Sequence, residues 1–466
     1  MATSDTICAI STPVGAGGIG IVRLSGSDSV RIADRIVRCS DGVLLADGPS
    51  HKLRFGKVYD IAGNLLDEAL ISVMRAPRSY TREDIVEINC HGGVMSLAAV
   101  LDTVMSAGAR LAEPGEFTRR AFLNGRIDLT RAAAVTDIIA ARTPESHRAA
   151  AVRLSGRFHN EVTALRDTLL DARAALDASI DFPEDDLPDD VENLYRTATL
   201  NTLNAVESLI KSADRGRLLR EGATVAITGR PNVGKSSLFN AILKTARAIV
   251  TPVPGTTRDL IEETVNIGGI PTVLMDGAGL RDGLDMPERV GIDAAWSAVR
   301  DATVVLFVLD ASEPVAEEDR RIVDELVETK KKTVLVVNKT DLPRRLPQND
   351  IEDIGKRLCS TENHVEICAK DATNIDAVET ALARVFLKGG ATQESPSYVT
   401  RVYEKHALED AQTALHRAVQ GIQTGAPADQ ISADMQDAAD ALGIIIGAVT
   451  TEDILDRVFS DFCIGK

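Results

Sequence analysis

Thr224-Val-Ala-Ile-Thr-Gly-Arg-Pro-Asn-Val-Gly-Lys-Ser-Ser-Leu-Phe-Asn-Ala-Ile-Leu243 is the stretch on which the reading of this chain turns. Its apolar opening, Thr224 to Thr228, has the text of a strand, and its end, from Ser237, has the text of a helix. Between them Gly229-Arg-Pro-Asn-Val-Gly234-Lys235-Ser236 fits G-x-x-x-x-G-K-[ST] in the strand–loop–helix context that this pattern requires. Loop and helix-start amides can surround phosphate oxygens, Lys235 adds positive charge at the β and γ phosphates, and Ser236 can hold magnesium. Asn232, Val233, Gly234, Lys235, Ser236 and Ser237 are therefore assigned to a bound nucleotide.

Three further patterns follow in the order such a site needs. Asp276-Gly277-Ala278-Gly279 ends an apolar run and fits DxxG, whose aspartate acts on the magnesium shell and whose glycine amide senses a γ phosphate. Asn338-Lys339-Thr340-Asp341 ends another, and the Asp341 carboxylate can accept from the two guanine N–H donors, which adenine does not present in that arrangement. Cys368-Ala369-Lys370 stands where GTPases often carry Ser-Ala-Lys beside the base. The set favours GTP over ATP. Between the 229–236 loop and the DxxG pattern lies Thr256-Thr257-Arg-Asp259, where a first switch belongs, and Thr257 is the candidate for binding magnesium and sensing the γ phosphate. Ras places a water-orienting glutamine just after DxxG. Here that position is Leu280, which cannot orient water, so another group must act; Asp282, Asp285 and Glu288 are the acids that follow.

Around this core, 466 residues suggest about three domains. Residues 1–125 carry glycine-separated strand text such as Ile19-Gly-Ile-Val-Arg23 and Ile85-Val-Glu-Ile88, which predicts an α/β domain. Leu129 to Ile180 and Val191 to Leu219 read as helices, separated by the acidic, proline-bearing segment Asp181 to Asp190. Strand and helix text alternate from Glu221 to Leu387, predicting a largely parallel sheet covered by helices. After the polar segment Lys388 to Pro396, residues 401–420 and 432–462 are helical again. Packed against 129–219 they would form one helical domain, with the nucleotide domain inserted in it.

The net charge of -17 opposes nonspecific attraction to nucleic acid, so an RNA contact needs a local basic patch or a partner. Six cysteines stand singly, without a CxxC pair, which argues against a structural zinc site and for a reducing compartment. No basic start precedes an apolar run, and nothing approaches the roughly 18–20 apolar residues of a membrane span. The expectation is a cytoplasmic protein with no membrane contact.

The assembled residues resemble the MnmE (TrmE) family of tRNA-modification GTPases over essentially the whole chain. The resemblance is carried by Asp5-Thr-Ile, Gly17-Gly-Ile-Gly-Ile-Val-Arg23, Glu87-Ile-Asn-Cys-His-Gly-Gly93, Pro114 to Leu129, the nucleotide patterns above and the ending Phe462-Cys-Ile-Gly-Lys466. It implies a multidomain α/β plus all-α fold: an N-terminal folate-binding and dimerisation domain (1–125), a helical domain in two parts (126–220 and 389–466), and an inserted Ras-like P-loop GTPase domain (221–388). It further implies G domains that pair across a homodimer under potassium control, supplying positive charge without an arginine finger. By motif match Asn232, Thr251, Val253 and Thr256 would hold K+, within the nucleotide-contacting loop Thr251, Pro252, Val253, Pro254, Gly255 and Thr256, and Mg2+ would sit on Ser236 and Thr257.

The same resemblance makes Glu288 the water-orienting catalytic residue, alongside Lys235. Arg23, Glu87, Arg126 and Lys466 fall at the folate-contacting positions, for 5-formyl-tetrahydrofolate or a related folate, and Cys463 takes a role in the modification. The implied partners are an FAD-dependent MnmG (GidA)-type protein, in a heterotetramer, and tRNA, whose wobble uridine would gain a carboxymethylaminomethyl-type group at C5. This sequence departs from the family at Gly277, where DTAG is usual, at Pro287, at Arg126 for lysine and at Cys368 for serine. A competing reading is an RNA-binding or ribosome-assembly switch, which predicts a basic RNA-binding module. Another is a folate-dependent one-carbon transferase with an accessory GTPase, which predicts transfer without the flavin partner.

Overall fold

A computed structural model of the chain describes residues 5–13, 15–181, 191–246, 262–276, 296–358, 364–387, 398–449, 452–460, 462, 464 and 465. Two compact units are present, one comprising residues 1–136, 154–167 and 439–466, the other 137–153 and 168–438.

In the first unit, β1 (Ile7–Ile10), β2 (Gly17–Ser25), β3 (Val37–Cys39), β4 (Leu53–Tyr59), β5 (Leu65–Met74), β6 (Ile85–Gly92) and β7 (Arg110–Leu111) form a sheet ordered β3-β4-β5-β6-β2-β1-β7. All neighbours are antiparallel except β1 and β7. Period-2 alternation sends Val22 and Leu24 of β2 into a core that they share with Ile32 and Ile36 of α1 (Ser29–Ile36) and Leu97 and Val100 of α2 (Val94–Ser106). Arg23, between them, is left to the opposite face. There α3 (Glu116–Leu123) packs Phe117 on Ile7 and Ala9 of β1, with Tyr80 against the same cluster.

The second unit holds β8 (Ala223–Thr228), β9 (Glu262–Ile267), β10 (Ile270–Asp276), β11 (Val304–Asp310), β12 (Lys332–Asn338) and β13 (His364–Glu366), ordered β13-β12-β11-β8-β10-β9. Every pairing is parallel except that of β9 with β10. Every residue of β11 is buried, because both faces of the sheet are covered. Leu238 and Ile242 of α8 (Lys235–Thr245) and Val378 and Leu382 of α12 (Ile375–Leu387) cover one face. Val299 of α9 (residues 296–301), Val323 of α10 (Glu317–Thr329) and Ile351 of α11 (Gln348–Arg357) cover the other.

The helical text before Ile180 is divided where the sequence reading left it continuous. It forms α4 (Leu129–Ala140), α5 (Pro144–Leu154) and α6 (Arg157–Asp181). Pro144 sits at the first position of α5, where its missing N–H costs nothing. Gly156, at φ 87°, takes the left-handed conformation that ends a helix. Downstream, α7 (Val191–Glu221) packs on α13 (Val402–Thr424), and α14 (Ala428–Ile446) and α15 (Glu452–Phe459) complete the described helices. Among the described residues no helix is long and apolar enough to cross a membrane.

A buried ion-pair network holds α5 to α13. Arg153, 1% exposed, donates to Glu404 Oε1 at 2.5 Å and to the Tyr398 carbonyl at 2.6 Å. The second Glu404 oxygen accepts from the amides of Thr400 and Arg401, closing the start of α13. Arg401 in turn lies 2.8 Å from Asp137, which Arg220 of α7 approaches at 3.4 Å. Truncating one member of such a buried pair costs about 3–5 kcal/mol, because its partner is left charged and unpaired.

Candidate functional site

The C-terminal ends of the parallel strands of the second unit share one edge. Asp276 of β10 stands in register with Ile227 of β8, Asp310 of β11 with Asn338 of β12, and Val337 with Glu366 of β13. Ligands of open parallel sheets bind outside this edge. The loop 229–234 leaves β8 here and turns directly into α8, with Gly234 at φ 99° as the residue before the first turn. A Cβ on Gly234 would stand 2.2 Å from Asn338 Nδ2, and one on Gly229 2.5 Å from the Val308 carbonyl, so both positions require glycine on steric grounds. Lys235 Nζ donates to the carbonyls of Gly229 and Arg230, each at 2.9 Å, so the loop curls around the ammonium group. Ser236 and Ser237 are exposed in the first turn of α8, while Val233 is buried and anchors the loop.

Asn338 fastens the edge together. Its amide nitrogen donates to the Val233 carbonyl at 2.8 Å, and its amide oxygen accepts from Ala369 N at 2.9 Å, although it is only 2% exposed. One side chain thus ties the loop at 229–234 to the one at 368–370. Lys339 pairs with Asp310 at 2.6 Å. Burial works to raise the Asp310 carboxyl, but Lys339 and Ser312 prevail and hold it below the usual carboxylate range. Cys368 donates its S–H to Asp341 Oδ1 at 3.3 Å. Burial, followed by the two neighbouring carboxylates, pushes this thiol up, so at neutral pH it is a proton donor to Asp341. Asp341 and Lys370 are exposed and face solvent beside it. Asn232, Lys339, Ala372 and Asn374 all have positive φ, and they concentrate left-handed backbone in the loops leaving this edge.

Sequence reading left several of these partners unnamed. Asp310, the mate of Lys339, closes an apolar strand much as Asp276 does, and that position was the available signal. Asp371, 3.5 Å from the Cys368 sulfur, had none. Asp341, Cys368 and Asp371 could between them offer three ligand atoms to a metal, but among the described residues nothing else points to an ion there. Thr251, Pro252, Val253, Pro254, Gly255, Thr256, Thr257, Gly277, Ala278, Gly279, Leu280, Asp282, Asp285, Pro287, Glu288, Cys463 and Lys466 lie outside the described residues.

A second polar cluster occupies the first unit. Arg23 and Glu87 are register partners on β2 and β6, and Arg23 Nε donates to Glu87 Oε1 at 2.8 Å. The guanidinium of Arg23 lies 5.8 Å from the centre of the Tyr80 ring and 5.6 Å from that of Phe117. Arg126 lies over the same Tyr80 ring at 4.5 Å. Arg23 and Arg126 thus share one aromatic ring, with Glu87 joined to it through Arg23; the resemblance groups the three charges, but nothing in the sequence points to Tyr80. The chain end reaches the cluster as well: the Gly465 carbonyl accepts from Ser11 at 3.2 Å and from Arg23 Nη1 at 3.4 Å.

Comparison with known proteins places the whole chain in a family. A family model described as the MnmE helical domain matches residues 129–463, and another described as the GTP-binding protein TrmE N-terminus matches residues 6–126. The chain is 44% identical to the tRNA modification GTPase MnmE of Geobacillus kaustophilus, over 100% of both chains. It is 43% identical to the protein of the same description from Geobacillus thermodenitrificans and 42% to that from Alkaliphilus oremlandii, again over 100% of each chain. A solved structure of Aquifex aeolicus Era bound to GDP and AlF4- is 26% identical, covering 41% of this chain and 66% of that one, with a TM-score of 0.27, too low to add to the assignment. Both family models and the full-length identities agree, and the chain belongs to the MnmE (TrmE) family of tRNA modification GTPases.

Proposed function

We propose that this chain hydrolyses GTP at the 229–237 loop and uses the hydrolysis cycle in modifying the wobble uridine of tRNA at C5, with a folate as one-carbon donor and an FAD-dependent MnmG-type protein as partner. The observation that carries the nucleotide reading is Asn338, which ties the phosphate loop to the loop beside the base. In this reading Lys235 neutralises the β and γ phosphates, Ser236 and Thr257 take Mg2+, Asp276 and Gly279 answer to the γ phosphate, and Asp341 reads guanine, with Lys339, Cys368, Ala369 and Lys370 bounding the base. Glu288 orients the attacking water. Asn232, Thr251, Val253 and Thr256 hold K+ through oxygen atoms, as a hard cation demands.

The first-unit cluster suits a folate. Glu87 offers a carboxylate to the amide-like donors of a pterin, Tyr80 offers a ring face, and Arg23, Arg126 and Lys466 offer charge to a glutamate tail. The outer face of β4 and β5 exposes Leu53, Phe55, Leu65 and Leu70, an apolar surface of the kind a homodimer covers. We assign residues 1–125 to this folate-binding and dimerisation domain, 221–388 to the inserted G domain, and 126–220 with 389–466 to the helical domain.

Arg23→Ala tests the folate half of the proposal. It removes the ion-pair partner of Glu87 and one cation from the Tyr80 face. Affinity for 5-formyl-tetrahydrofolate, measured by calorimetry, is expected to fall by about ten- to a hundred-fold, the worth of a charge-assisted contact. Mass spectrometry of tRNA nucleosides from cells relying on the variant is expected to show loss of the C5-modified uridine. Unchanged folate binding would move that ligand elsewhere.

A further inference from the structure

The hairpin β9–β10 joins the two segments to which nucleotide sensing is assigned, since β9 follows residues 251–257 and β10 ends at Asp276. Its strands are paired continuously from Ile267 with Ile270 to Glu262 with Met275, so movement at one end is carried to the other. The turn is Gly268-Gly269, at φ 59° and 89°, the double left-handed geometry of a two-residue hairpin loop. This turn does not end in solvent. Thr143, only 4% exposed, donates its hydroxyl to the Gly269 carbonyl at 2.7 Å. The carbonyl can only accept, so the single Thr143 hydroxyl proton is committed to the hairpin. The same oxygen accepts from Ser146 N at 3.0 Å, capping the start of α5. Glu145 closes over the turn as well: a Cβ on Gly269 would stand 2.6 Å from Glu145 Cγ.

From this grip α5 runs along the nucleotide-binding unit, with Ala149 packed against the core beneath the sheet. Its far end is Arg153, whose bonds to Glu404 and the Tyr398 carbonyl fix the start of α13. One short helix is therefore held at both ends by buried polar contacts, to the inter-switch hairpin at its start and to the returning chain at its end. We propose that α5 is a strut coupling the nucleotide state to α13, with Thr143 as the residue that positions the hairpin. The proposal rests on the GTPase reading above.

The test uses the full-length protein with Thr143→Val, which keeps the shape and removes the hydroxyl, Thr143→Ser, which restores it, and Ser146→Ala. The last weakens the same helix start but leaves the bond to Gly269. Thr143→Val is expected to lower kcat for GTP about five-fold with KM within two-fold, while the serine variant and Ser146→Ala stay near wild type. Hydrogen exchange of the α5 and α13 amides should differ between GDP and a non-hydrolysable GTP analogue in the wild type and in Thr143→Ser, but not in Thr143→Val. Wild-type kcat in Thr143→Val would overturn the proposal. An equal loss in Ser146→Ala or in Thr143→Ser would do the same, as would nucleotide-independent exchange of α5 in the wild type. Absence of GTP turnover in the wild type would instead defeat the GTPase reading itself.

Discussion

Asp341→Asn is expected to cut GTP affinity by about 10²- to 10⁴-fold and to move preference toward xanthosine triphosphate. An aspartate at this position accepts from the N1–H and the exocyclic amine of guanine, two hydrogen bonds to a charged acceptor, worth about 1.5–3 kcal/mol each. Asparagine keeps an oxygen for N1–H but turns the acceptor facing C2 into a donor, which opposes the exocyclic amine of guanine and suits the carbonyl that xanthine carries there. The Cys368 thiol supports the wild-type arrangement by donating to Asp341 Oδ1, and the variant keeps a carbonyl oxygen available to it. Competition binding of GTP and xanthosine triphosphate to wild type and variant measures the exchange. An unchanged preference would remove Asp341 from base recognition.

Glu288→Ala is expected to lower single-turnover GTP hydrolysis by about 10²- to 10⁴-fold, the range for a positioned acid or base, with GTP affinity within about two-fold. Leu280 occupies the place where a glutamine would orient water, so another group must act. Of the acids that follow, Asp282, Asp285 and Glu288, the family resemblance favours Glu288, the residue proposed for this role. In the proposed site, binding rests on the 229–237 loop and on Asp341, neither of which includes Glu288. Phosphate release after rapid mixing separates the two quantities. Full-rate hydrolysis in the variant would transfer the role to another group.

What could be read from the sequence follows the range of the interactions concerned. The apolar run that becomes β11 announces a strand covered on both faces, and the glycines at 229 and 234 announce a loop that other groups approach closely. Both signals are local runs of residue types, although the partners that account for them lie far away in sequence. The division of the helical text before Ile180 depended on Pro144 and Gly156, local signals that an Ala- and Leu-rich periodicity overrode. Pairings across long separations left no trace. Arg153 and Glu404 lie 251 residues apart, and each alone looks like a surface charge on an amphipathic helix. Tyr80 was equally silent, because nothing local marks a ring that two distant arginines share. Asn338 was legible as part of a motif, but its double role in joining two loops required the folded sheet.

The central claim is met most directly by steady-state turnover of GTP and, in parallel, ATP by the purified full-length protein with Mg2+, in potassium and in sodium at equal ionic strength. The account predicts GTP hydrolysis that is strongly faster in potassium, and no comparable hydrolysis of ATP in either salt. ATP turned over as fast as GTP, or no GTP turnover in either salt, would contradict it; equal GTP rates in the two salts would contradict the potassium site on Asn232.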